Sequence, residues 1–112
     1  MKKQIALYIT MLSTTLYADI YDITIEANDK MTWNEAKRFC ANKGMILPSK
    51  DIIKGLNDKE LVVFDSGRYW IDYIADWGEE RGAYGRNYAI PFITLPKDNK
   101  LKAICFPKNY EK

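Results

Sequence analysis

An α+β fold is the class this sequence predicts: two helices packed on a small antiparallel sheet, with long loops and one disulfide. Three observations carry it. A capped amphipathic helix begins at Thr32, short strand-like runs separated by turn signals fill the second half, and two cysteines stand far apart at Cys40 and Cys105. Helices first and strands afterwards is the order of an α+β domain.

The helix is the clearest element. Thr32 and Glu35 form a T-x-x-E capping box, in which each side chain can satisfy the other's backbone N–H. Trp33, Ala36, Phe39 and Cys40 recur at helical spacing and share one face. Gly44 is placed to take the left-handed conformation after the helix, and Leu47-Pro48 resists its continuation. Before the helix, Asp19–Ala27 alternates around Ile20, Ile23 and Ile25 and reads as a first strand whose register slips between Ile20 and Ile23. After it, Ser49 caps a second helix over Lys50–Leu56 with Ile52, Ile53 and Leu56 facing inward. Glu60–Phe64 is a short apolar segment of either type.

Arg68–Ala75 reads as a strand with Tyr69, Ile71 and Tyr73 on one face and Trp70, Asp72 and Ile74 on the other. Asp76–Asn87, with glycines at 78, 82 and 85, reads as a long surface loop. Tyr88–Leu95 is a further strand, interrupted by Pro91. Pro96–Lys100 is a turn, and Leu101–Phe106 is the closing strand that carries Cys105.

Export is the expected fate of the chain. Lys2 and Lys3, then an apolar run over Ile5–Leu16, then Ala18 have the order of a signal peptide at residues 1–18, which leaves 19–112 as one domain in the periplasm or outside the cell. The apolar run is short for a membrane span, so no stable span is expected after processing. Cleavage after Ala18 removes two of the 17 basic residues and none of the 15 acidic ones, so the mature chain is balanced. No basic excess remains to suggest nucleic acid as a partner. Two cysteines in an exported chain are read as a pair, here joining the first helix to the last strand.

The chain has no histidine, which removes the commonest general base and metal ligand. It holds no nucleophile elbow, phosphate loop or zinc-type spacing, and nothing in it calls for a cofactor. Asp72, Asp76, Glu79 and Glu80 cluster in sequence. They are the basis of the alternative readings: a small exported hydrolase, an enzyme inhibitor, or a calcium-dependent lectin. The main reading is a non-catalytic binding module. Trp77, Arg81, Tyr84 and Arg86 lie in the glycine-broken stretch and are of the types enriched at binding hot spots. They are the predicted ligand-binding residues, on a loop offered to a protein or glycan on an envelope or cell surface. The competing reading has Trp77 and Tyr84 folded back into the core.

Thr32-Trp33-Asn34-Glu35-Ala36 through Cys40, then Gly44 and Leu47-Pro48-Ser49, resembles the first helix and turn of bacterial C-type lectin-like domains. It is most similar to the small Lcl-type C-terminal domains. Tyr69-Trp70 and Ile104-Cys105-Phe106 stand where that family has a Tyr-Trp strand and a closing cysteine strand. The resemblance covers roughly residues 31–107 and implies a C-type lectin-like fold with its ends brought together by the bridge. The Glu-Pro-Asn or Gln-Pro-Asp and Trp-Asn-Asp motifs of sugar-binding C-type lectins are absent from the sequence, so the resemblance does not imply calcium.

Overall fold

The computed structural model describes residues 20–110. The leader expected at 1–18 lies outside the described residues. No helix among the described residues is long and apolar enough to cross a membrane.

The chain begins with a helical turn, α1 (Ile20–Ile23), and a two-residue strand, β1 (Ile25–Glu26). This corrects the single strand expected over 19–27. Thr24 donates through its N–H and its hydroxyl to the Ile20 carbonyl, which closes the turn. Ile20 is thereby buried. The slipped register in the sequence is therefore a change from helical to extended backbone.

α2 (Trp33–Ala41) starts as its capping box dictates. Thr32 Oγ1 accepts from the Glu35 N–H at 3.3 Å and Glu35 Oε1 accepts from the Thr32 N–H at 2.9 Å. That bond to the Thr32 backbone, with the Thr32 hydroxyl, holds the Glu35 carboxyl below the usual range. An N-cap side chain such as that of Thr32 contributes about 1 kcal/mol. Gly44 takes φ +69°, turning the chain into β2 (Met45–Ile46). α3 (Lys50–Lys54) follows, capped by Ser49 Oγ on the Ile52 N–H. The segment between α3 and the first long strand is helical: α4 (Asp58–Leu61) runs into a 3-10 turn at Val62–Phe64.

The strands β3 (Tyr69–Ile74), β4 (Glu80–Tyr84) and β5 (Phe92–Pro96) form one antiparallel sheet in that order. β6 (Ile104–Pro107) lies between β1 and β2 in a second three-stranded antiparallel sheet. A parallel bridge from Tyr69 to Lys102 and an antiparallel one from Met31 to Leu101 link the parts. The result is a small α+β domain with two sheets where one was expected.

Side-chain alternation sorts the interior into two cores. Tyr69 and Ile71 of β3, Tyr84 of β4 and Ile104 and Phe106 of β6 face one, with Ile52, Ile53 and Phe64. Trp70, Ala83 and Cys105 face the other, with Trp33, Ala36, Cys40 and Leu47. The Cys40–Cys105 disulfide closes across 65 residues with a Cα–Cα distance of 5.4 Å and ties α2 to β6, as the cysteine count leads one to expect. A loop of this length is worth about 4 kcal/mol in the chain-entropy account. Trp33 and Trp70 tie α2 and the segment leading into it to β3: Trp33 Nε1 donates to the Ile71 carbonyl at 2.9 Å and Trp70 Nε1 to the Met31 carbonyl at 2.7 Å.

Candidate functional site

The middle of the stretch read as a long surface loop is a strand, with turns on either side of it. β4 occupies Glu80–Tyr84, pairs with β3 on one side and β5 on the other, and is the centre of its sheet. The glycine that argued for a loop serves the strand pairing. From Trp70 to Ile74, β3 advances four residues while β4 goes only from Ala83 to Arg81. The surplus bulges toward β4, where a Cβ on Gly82 would stand 2.8 Å from both Ile71 Cγ1 and Tyr73 Cβ. Only glycine leaves that room. The bulge is pinned from outside by the Asp72 N–H, which donates to the Pro48 carbonyl at 2.9 Å.

The four predicted binding residues therefore part company. Trp77 sits in the β3–β4 turn and is 65% exposed, which agrees with the surface reading. Tyr84 is buried, edge-on to Phe64 at 5.1 Å and tilted against Phe92 at 4.8 Å, and burial pushes its phenol up from the usual tyrosine range. Arg81 is buried beneath the turn. Its guanidinium lies 4.7 Å from the Trp33 ring centroid, and its Nη1 donates to the Gly78 and Glu80 carbonyls. Arg86 is held by Asp65 at 2.7 Å. Arg81 and Tyr84 stand behind the surface, so the four do not make one recognition loop.

The acidic cluster is likewise dispersed. Asp72 pairs with Lys37 at 3.1 Å, Glu79 with Lys97 at 3.8 Å, and Glu80 accepts from the Thr94 hydroxyl at 2.6 Å. Among the described residues no group of three acidic or sulfur side chains could hold a metal ion.

The structure assembles a different site on the β3–β4–β5 sheet. Phe64 and the residues of α3 cover one end of the sheet face that carries Ile71 and Tyr84, and the other end is open. There lies a groove of about 310 Å³. Ile71 and the bare backbone of Gly82 line it, with Tyr73, Phe92 and Thr94 around them. Lys50, the first residue of α3, extends its ammonium to 5.1 Å from the Phe92 ring centroid. Tyr73 is 45% exposed. The groove thus offers an apolar floor, a cation, a phenol and a hydroxyl, the mixture found where ligands bind.

The alternation along β3 puts Tyr73 on the same face as Tyr69 and Ile71, yet those two are buried and Tyr73 is half-exposed. The signal that separates it is a glycine: Gly82 on the neighbouring strand cannot cover it. Lys50 carried no signal, because nothing local says that the start of α3 overhangs the sheet. No family model matches this chain, and no curated protein matches it.

Proposed function

We propose that the chain is an exported, non-catalytic binding module, built on a C-type lectin-like scaffold, that receives a protein or glycan ligand in the groove between Lys50 and Tyr73. The open sheet face is the observation that carries this reading. A sheet residue with its ring half in water, beside an ammonium and above a glycine floor, contributes contact area that the fold itself does not use. The scaffold reading draws on the order of elements: a capped helix with a cysteine, the Leu47-Pro48-Ser49 turn, a second helix, the Tyr69-Trp70 strand and the Cys105 strand. Export draws on the order of the first eighteen residues and on the disulfide, a bond that persists in oxidising compartments.

Binding of the oxidised domain to glycan and peptide panels tests the reading. Tyr73→Ala and Lys50→Ala should each weaken retention of any captured ligand by roughly tenfold, a loss of about 1.4 kcal/mol. Both should leave the denaturant melt within about 0.5 kcal/mol of wild type, as surface changes do. A ligand held equally well by both variants would place recognition elsewhere, and a domain that retains nothing from either panel would remove the proposal.

A further inference from the structure

We propose that β5 is a docking edge that takes an extended acidic peptide as a fourth strand of its sheet. This rests on the reading of the domain as a binding module and names its ligand class.

The ladder shows which backbone groups are free. β5 pairs with β4 on one side, and among the described residues no strand flanks its other side. The Gly85 N–H donates to the Pro91 carbonyl at 2.9 Å and the Lys97 N–H to the Glu79 carbonyl at 3.1 Å. Antiparallel pairs alternate between bonded and non-bonded. In this register Ile93 and Leu95 therefore exchange bonds with Ala83 and Arg81, while Phe92 and Thr94 turn their N–H and C=O groups outward. Pro96 brings no N–H, and its carbonyl already accepts from Asn99 at 3.0 Å. The open ladder is thus short, two donors and two acceptors from Phe92 and Thr94. β5 carries no charged residue to repel an added strand.

A groove flanks this edge on each face of the sheet. Phe92 and Thr94 border the one described above. On the opposite face Ile93 and Leu95 border a second, of about 360 Å³, with Leu101 beside them. Successive side chains of an added strand point to opposite faces, so one strand would use both grooves. The second groove sets the charge of the occupant. Lys30, Arg68 and Lys102 all line it. Lys102 is paired with Glu26 at 3.3 Å. Arg68 is bound to two neutral acceptors, the Ile90 and Pro91 carbonyls, each at 2.9 Å, and lies 4.0 Å over the Tyr88 ring. Three cations thus face one carboxylate. A second copy of this chain would bring the same cations to the same edge, so charge favours a foreign strand with aspartate or glutamate at alternate positions.

The test uses fluorescence anisotropy with the oxidised mature chain and a short labelled peptide alternating valine and aspartate. The control peptide has lysine for aspartate. The acidic peptide should bind, more weakly as salt rises, and the basic one should not. Thr94→Pro removes an outward N–H at a position where an edge strand tolerates proline, and should weaken binding by roughly tenfold or more. Thr94→Val keeps that N–H and loses the hydroxyl, and should weaken binding far less than Thr94→Pro does. On the wild-type protein, bound peptide should slow amide exchange of Phe92 and Thr94, a readout that does not depend on how the proline variant folds. Binding without that protection, equal binding of both peptides, or a Thr94→Pro-sensitive dimer in sedimentation would each overturn the proposal. Failure of the peptide together with capture of a glycan that depends on Tyr73 would end the strand-addition reading and leave the binding module standing.

Discussion

On one face of β3, Tyr69 and Ile71 join Phe64, Tyr84 and Phe106 in a core of four buried rings among aliphatic side chains. On its other face, Trp70 meets Ala36, Ala83, Ala103 and the Cys40–Cys105 bridge. The ring core is cross-braced by aromatic contacts: Phe64 touches Tyr69 and Tyr84 edge-on at 5.3 and 5.1 Å and stacks on Phe106 at 5.9 Å. Around Trp33 and Trp70 the bridge core is filled by alanines, so α2 can approach the strands closely, and it is fastened by a covalent bond and two indole hydrogen bonds. The same strand thus buries its two faces by different physics. A large ring contributes area and leaves a hole when lost, whereas small residues contribute little area and rely on cross-links to stay together.

The difference can be broken from the ring side first. Tyr84→Ala should destabilise the domain by about 3–5 kcal/mol, the cost of emptying an aromatic site in a core. Denaturant unfolding measures it, and a near-neutral result would mean that the core around Phe64 collapses into the space. Reduction acts on the opposite side and should cost about 2–5 kcal/mol. Hydrogen exchange sharpens this result: protection should fall first in α2 and β6 around the lost bridge and last around Phe64. Uniform loss of protection would show that the two cores unfold as one.

Alkali separates the cores in another way. Burial pushes the phenols of Tyr69 and Tyr84 above the usual tyrosine value. A raised folded value favours the neutral phenol in the folded state. Its contribution is therefore complete below the unfolded value near pH 10 and is lost as pH rises through the folded one. Melting temperature should fall above about pH 10, and exchange should rise first in the ring core, since the tryptophans opposite do not titrate. A melting temperature flat through this range would contradict the burial of both phenols. The smallest effect belongs to Trp77. At 65% exposed it should change stability by no more than about 0.5 kcal/mol on mutation to alanine. Set beside Tyr84→Ala in the same denaturant series, it measures how far two aromatics seven residues apart differ because one lies on a strand and the other in a turn.

Much of this contrast is visible in the sequence only from one side. The capping box at Thr32 and Glu35, the Ser49 cap and the alternation through Tyr69–Ile74 depend on neighbours a few residues away, so the chain states them locally. β4 is different. Its glycine is a poor strand residue by itself, and nothing local marks its arginine as buried. They are right there because β3 bulges over Gly82 and Trp33 lies across Arg81, and both partners are distant in sequence. The same cause hid the groove: Lys50 meets Phe92 only after α3 has packed on the sheet.

By itself the sequence determined the caps, the two main helices, the β3 and β6 strands and the pairing of its two cysteines, because each follows from local geometry or from there being one possible partner. The tertiary structure alone decided that the glycine-rich stretch is a central strand, that Tyr84 and Arg81 are inside while Trp77 is outside, and that one end of the sheet stays open. Burial is a property of what packs against a residue, and these partners come from segments far along the chain.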